Sequence, residues 1–474
     1  MGETSPIILW FRRDLRLADH PALAAAAASG RPVIPLFIHD ETVAALGAAP
    51  KWRLGLSVES LAASLAGIGS RLILRRGPAL AVLRDLVAET GAGAVVWTRY
   101  WEPEGRVRDE AVKAALAGAG VEVRGFAGLT VFDPWTVATG QGTPYRVFTP
   151  FWRAIRDRDP GLALPAPRAL RPPEAWPASE ALPDWALGAA MNRGAVVVAG
   201  HARVGEAAAE ARLEAFLARG IDHYAEARDF PARDRTSRLS ENLAWGEISP
   251  RACWSVALAA REAGAAGAEA FLRQLAWREF AWALIYHTPH IATESWRAEW
   301  RGFPWDTSED RPEVTAWRRG QTGVPLVDAG MREMWVTGTM HNRARMVAAS
   351  YLTKNLMADW RIGQRWFAEY LIDWDPAANA MGWQWVAGSG PDAAPFFRIF
   401  NPLAQADRFD PDGAYRNRWL AEGQATPPET ALAFFKAVPR RWGLRADRPS
   451  TRPGAGLAEG RRRALAAHEH WKRG

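Results

Sequence analysis

Cysteine is nearly absent from this chain. Cys253 stands alone among 474 residues, which excludes an internal disulfide and any zinc or iron–sulfur site built from several thiolates. No run of about 18 apolar residues occurs, so no membrane-spanning helix is expected. Residues 1–8 lack the basic stretch and apolar core of a secretory signal, and a bacterial-type cytosol is the expected location. Two nucleotide-binding signatures are missing as well. No glycine fingerprint follows the first apolar run and no phosphate-loop lysine motif is present, which leaves nicotinamide-dependent and ATP-hydrolysing activities without support.

What is present is ordinary in bulk and unusual in one respect. Hydrophobic residues make up 48% and charged residues 23%, as in a water-soluble globular protein. Lys and Arg outnumber Asp and Glu by 59 to 52. That bias permits contact with a phosphate backbone without requiring it. The 25 tryptophans are the oddity. Most must fill core, but indoles also offer stacking surfaces to flat ligands and bases.

The length favours two domains. Short apolar runs at 7–11, 33–39, 71–75, 94–100 and 121–126 alternate with alanine-rich helical stretches such as 22–28 and 54–65. This predicts an α/β domain with a doubly wound parallel sheet, over residues 1–135, with ligands expected at the carboxyl ends of the strands. Prolines crowd residues 157–185, within a connector placed at 136–204, and predict a stiff surface linker. From 205 to 474 the pattern is all-α, with helical spacing at 206–217, 268–286, 324–334, 340–359 and 363–371. Ser249-Pro250 and Asp375-Pro376 read as helix starts, and the basic tail 461–474 as an exposed helix.

The helical half also carries dense polar segments. Tyr224 precedes Arg228-Asp229-Phe230-Pro231 and Thr236-Ser237-Arg238-Leu239-Ser240. Next come Gln274-Leu275-Ala276-Trp277-Arg278-Glu279-Phe280, His341-Asn342-Arg343-Ala344-Arg345-Met346, Asp359-Trp360-Arg361 and Asp373-Trp374-Asp375. The series closes on Asn379-Ala380-Met381-Gly382-Trp383-Gln384-Trp385 and Phe397-Arg398-Ile399-Phe400-Asn401-Pro402. Hydroxyls, a guanidinium and backbone N–H groups at 236–240 suit a phosphate or pyrophosphate. Equally, Thr236 and Ser240 could be helix caps. Asp375 reads as either a cap or a ligand-binding carboxylate, and Arg278 and Glu279 as either site residues or a solvated helix face.

Taken together and in this order, these segments resemble the DNA photolyase/cryptochrome family, and Trp10-Phe11-Arg12-Arg13-Asp14-Leu15-Arg16 is a further hallmark. The resemblance implies an antenna-type α/β domain, a linker, and a helical domain that holds FAD and binds DNA. It assigns Tyr224, Thr236, Ser237, Arg238, Leu239 and Ser240 to the phosphate and ribose side of FAD. Arg345, Asp373, Asp375 and Asn379 would surround the flavin ring, with Asn379 facing its N5. Gln274, Trp277, Arg278, Asn342, Arg343, Trp385 and Gln405 would line a DNA cavity. Trp305, Trp360 and Trp383 would relay electrons. The implied activity is light-driven repair of UV-damaged DNA, in which a pyrimidine dimer is flipped into the pocket and the cofactor carries the chemistry.

Asn342 and Met346 match class I enzymes acting on cyclobutane dimers, whereas animal (6-4) enzymes carry histidines at these positions. Gln274 departs from the glutamate of class I. The end of the chain soon after the helical domain favours an enzyme, expected to be monomeric, over a cryptochrome photoreceptor. Glu104-Gly105 stands where folate-binding members have Asn-Glu, so an antenna chromophore would be methenyltetrahydrofolate or, slightly nearer, an 8-hydroxy-deazaflavin.

Overall fold

The structure is a computed structural model and describes residues 4–393, 395–396, 398–447 and 456–473; Phe397, residues 1–3 and Gly474 lie outside them. Five strands, β1 (Ile7–Phe11), β2 (Val33–His39), β3 (Ile73–Arg76), β4 (Ala94–Thr98) and β5 (Glu122–Phe126), form one all-parallel sheet in the order β3-β2-β1-β4-β5. All five positions of β1 are buried, because α1 (Pro21–Ala28) and α2 (Ala48–Gly67) cover one face while α3 (Ala79–Thr90) and α4 (Pro103–Gly118) cover the other. That two-sided cover is why the strands read as unbroken apolar runs.

The connector is more structured than its prolines suggest. It contains helix α5 (Phe148–Ile155), whose Phe148, Phe151, Trp152 and Ile155 are buried in the core of the helical half. Further along, Leu170, Trp185 and Leu187 pack into the α/β core, and Leu74 N–H donates to Ser179 Oγ at 2.9 Å.

The principal helices of the remainder are α6 (Glu206–Arg219), α7 (Ser240–Trp245), α8 (Pro250–Glu262), α9 (Ala268–His287), α10 (Pro325–Thr337), α11 (Asn342–Ser350), α12 (Trp360–Tyr370), α13 (Pro376–Ala387), α14 (Pro402–Phe409) and α15 (Leu457–Arg473). The single helix expected over 340–359 is in fact interrupted. After α11 the chain makes a π turn at Tyr351–Asn355, Met357 adopts φ 54°, and Asp359 caps α12 by accepting the Arg361 N–H at 2.8 Å. The π turn buries Lys354, whose Nζ donates to the carbonyls of Ala387 (2.8 Å) and Phe396 (3.2 Å). A cation donor at the carboxyl end of α13 satisfies an otherwise orphaned carbonyl.

The loop that follows β1 joins the two halves. Leu15 N–H donates to the Trp245 carbonyl, and Arg16 donates to the carbonyls of Gly246 (3.0 Å), Asp19 (2.9 Å) and Gly128 (3.1 Å). Arg13 lies over the rings of Trp245 and Trp374, at 4.6 and 4.8 Å. Gly246 has φ 66°, and a Cβ there would come within 2.2 Å of the Arg13 carbonyl oxygen, so only glycine permits this approach. A second tie runs through Arg53 of α2. It is fully buried and reaches Glu241 (3.0 Å) and Glu247 (2.7 Å) of the helical half.

Glu279 makes a third tie, accepting the N–H groups of Val131 and Phe132 at 2.9 and 3.1 Å. Burial pushes its carboxyl up to about 7, against the pull of Arg278 and the two N–H donors. The folded state therefore holds this proton more tightly than the unfolded chain. The stability Glu279 contributes should fall as pH rises from about 4.5 to about 7, by on the order of 3 kcal/mol. Glu279→Gln has no such proton to lose. Denaturant unfolding of both proteins at pH 5 and pH 8 should show the variant gaining on the parent at pH 8. An unchanged difference between the two pH values would mean that Glu279 does not titrate in this range.

Candidate functional site

The loop ahead of α7 provides the first half of the site. Leu239 precedes the helix without a side-chain cap, and neither Thr236 nor Ser240 closes a cap hydrogen bond. The capping alternative therefore falls away. The N–H groups of Ser237, Arg238 and Leu239 make no backbone hydrogen bond among the described residues. Arg238 sits at φ 52°, an uncommon conformation for a side-chain-bearing residue and one that turns successive N–H groups toward one concavity. Thr236, Ser237 and Arg238 line a cavity of about 880 Å³, together with Arg212, Arg219 and His223. Unpaired donors and surplus guanidinium charge fit a diphosphate. Tyr224 lies buried beside this loop, edge-on to Phe216 (5.3 Å) and Phe271 (5.8 Å).

The loop is held from behind. Arg212 donates to the Arg238 carbonyl and to Asn242 Oδ1, both at 2.9 Å, and pairs with Glu241. Glu241 in turn binds Arg53, and Asn242 donates to Glu247 at 2.7 Å.

Helices α11, α12 and α13 supply the second half. Arg345 grips both oxygens of Asp373, at 2.9 and 2.6 Å, and donates from Nε to the Met340 carbonyl at 2.8 Å. Asp375 is both a cap and a site carboxylate. Its Oδ1 accepts the Ala378 N–H (2.8 Å), while its Oδ2 accepts the Trp282 indole N–H (3.1 Å) and faces Arg278 Nε at 3.8 Å. Asn379, one turn into α13, is half-buried and donates to the Gln364 carbonyl at 3.0 Å. Half-buried Glu333 lies within reach of Arg238 on one side and Arg345 on the other. Burial raises its carboxyl above the ordinary value, opposed by the His341 N–H, Tyr415 Oη and the charges of nearby Arg238 and Arg345.

The residues assigned to DNA fall on the starts of α11 and α14, the last turn of α13 and one face of α9. Gln274, Trp277 and Arg278 share a face of α9. Trp277 lies flat on Phe148, at 3.7 Å and 6°, so one face of the indole is already taken by protein. Arg278 is not on a solvated helix face. Only 13% exposed, it donates to the Leu129 carbonyl at 2.9 Å and faces Asp375, an inward position that does not suit direct contact with a DNA phosphate. Arg343 pairs with Asp229 (2.7 Å), donates to Gln405 (3.4 Å) and covers the Phe409 ring (4.1 Å). Asn342 is exposed and turns its amide to Met346 sulfur at 3.7 Å. Trp385 stands beside Phe400, at 6.4 Å.

Of the three relay candidates, Trp360 and Trp383 are buried and Trp305 is half-buried. Trp383 packs so closely on α12 that a Cβ at Gly363 would lie 1.9 Å from its ring. Asp359 N–H donates to the Asp306 carbonyl at 2.8 Å, which sets the Trp305 segment alongside the start of α12 at Trp360. None of the three indole N–H groups has a partner among the described residues. Sequence reading missed Trp282, Glu333 and Gln364. Only Trp282 carried a signal, one helical turn beyond Arg278.

Comparison with known proteins agrees with this geometry. The profile of the FAD-binding domain of DNA photolyase matches residues 271–470, and the DNA photolyase profile matches residues 7–171. A deoxyribodipyrimidine photo-lyase of Agrobacterium fabrum is 42% identical over 98% of both chains. Arabidopsis thaliana cryptochrome-2 is 35% identical over 89% of this chain and 71% of its own. The crystal structure of a class III photolyase from Agrobacterium tumefaciens superposes with a TM-score of 0.91 at 41% identity, covering 100% of this chain and 99% of that one. The chain belongs to the DNA photolyase/cryptochrome family and carries that family's FAD-binding domain.

Proposed function

We propose that this protein repairs cyclobutane pyrimidine dimers in DNA under blue light. One observation carries the reading: Arg238 of the donor-rich loop at 236–240 and Arg345 of the Arg345–Asp373 pair both act on the Glu333 carboxyl, and the half-buried face of Gln274 and Trp277 belongs to α9, which packs against α13. Thr236, Ser237, Arg238 and Ser240 hold the FAD diphosphate, with Tyr224 beside them. Arg345, Asp373, Asp375 and Asn379 orient the flavin ring. FAD held there would supply light-driven one-electron chemistry to the cyclobutane ring.

The remaining residues shape the pocket. The free face of Trp277 and the ring of Trp385 stack on the flipped bases. Gln274 and Asn342 offer both donors and acceptors to the imide edges. Arg343 and Gln405 hold the rim, and neighbouring surface arginines take the phosphates. Arg278 positions Asp375 and leaves phosphate contact to those residues. Trp305, Trp360 and Trp383 carry electrons inward to restore the reduced cofactor.

Asn342 with Met346 supports dimers over (6-4) lesions. The likeness to a class III photolyase supports that subclass over class I. The likeness to cryptochrome-2 keeps a photoreceptor without repair activity as the second reading.

Four outcomes are expected. The purified protein should release about one FAD per chain on denaturation, and Trp383→Phe should abolish photoreduction of oxidised flavin while flavin content stays at the parental level. Release of FMN alone would refute the cofactor reading. Blue-light repair of defined oligonucleotides should proceed on the dimer and not on the (6-4) lesion, and Gln274→Glu should keep or raise the yield. Repair of the (6-4) lesion alone would overturn the substrate, and repair of neither would favour the photoreceptor.

A further inference from the structure

Trp305, the outermost of the three relay tryptophans, is an awkward place for an electron path to end. Its indole N–H is enclosed and has no acceptor among the described residues. An oxidised indole is trapped when it sheds that proton, and no described residue is placed to take it.

Trp305 does not stand alone. Its ring stacks with Trp300 at 6.4 Å and 24°, and it touches Phe303 at 4.5 Å. Trp300 is 5% exposed and lies 4.7 Å from Trp471, on the last turn of α15. Trp471 is half-buried and so reaches solvent. Phe396 and His468, themselves stacked at 4.7 Å and 13°, complete the cluster. Gly460 of α15 lets this helix lie against the π turn, since a Cβ there would meet the Asn355 carbonyl oxygen at 2.7 Å.

We propose that Trp300 and Trp471 extend the electron relay, so that the oxidising equivalent leaves Trp305 and comes to rest on Trp471. The inference rests on the relay reading of Trp383, Trp360 and Trp305. One electron passes from the Trp471 indole through Trp300 to oxidised Trp305, which returns to its neutral form. Trp471 is left as a radical cation and releases its N–H proton to water. A one-electron reductant of the thiol class in solution then restores it. The C-terminal helix is thereby part of the redox machinery and does more than cover the helical core.

The test uses the full-length FAD-loaded protein, with time-resolved absorption and electron paramagnetic resonance after a blue flash. Trp471→Phe should shorten the charge-separated state severalfold and suppress slow proton release. Trp471→Tyr should yield a tyrosyl radical, which a purely structural role for residue 471 would not produce. Trp300→Phe interrupts the path without altering α15 itself and should reproduce the short lifetime. Parental lifetimes in both phenylalanine variants, with no tyrosyl radical in Trp471→Tyr, would overturn the proposal. Trp383→Phe run in parallel separates the two levels: photoreduction that survives there removes the relay itself, and the extension with it.

Discussion

Two carboxylates buried against one arginine fix the position of everything that follows. Helix α7 is six residues long, too short to persist on its own helical propensity. Its Glu241 and the following Glu247 are nonetheless held rigidly, because Arg53 reaches both from α2 of the other half. Removing one partner from such a network is expected to cost roughly 3–5 kcal/mol, because a charge is left buried without compensation. Arg212 closes the arrangement by binding Glu241 and the Arg238 carbonyl together. The loop at 236–240 is thus stretched between fixed points, with its N–H groups turned away from backbone partners. A donor-rich loop held in this way needs little reorganisation when an anion arrives.

The same logic explains why the α/β half is indispensable to a site it scarcely lines. The loop after β1 docks onto Trp245, Gly246 and Trp374, the last of which lies between Asp373 and Asp375. Glu279, on the α9 face next to Arg278, is bonded to the chain that leaves β5. A perturbation within the sheet therefore reaches Asp373 and Asp375 through short, buried contacts.

Much of this was legible in the sequence. The sheet was visible because strands covered on both faces read as unbroken apolar runs. The starts of α8 and α13 were visible because Ser249 and Asp375 are followed by proline. The interruption at Met357 was not visible, since a left-handed methionine carries no compositional mark. Arg278 stayed open between a site residue and a solvated face for a related reason: helical spacing tells which residues share a face, and not whether that face meets solvent or a buried aspartate. The relay could be named only through family resemblance, because contacts such as Trp383 on Gly363 depend on how α12 and α13 cross. Glu241 and Arg53, 188 positions apart, left no trace in local pattern at all.

We propose that buried charge pre-forms the loop at 236–240 for an anionic cofactor. Hydrogen exchange at the amides of residues 239–245, measured together with FAD affinity in Glu241→Gln, tests this. Faster exchange in that segment and weaker FAD binding are expected, with protection of α9 and α13 unchanged. Parental exchange at 239–245 together with parental FAD affinity would rule it out.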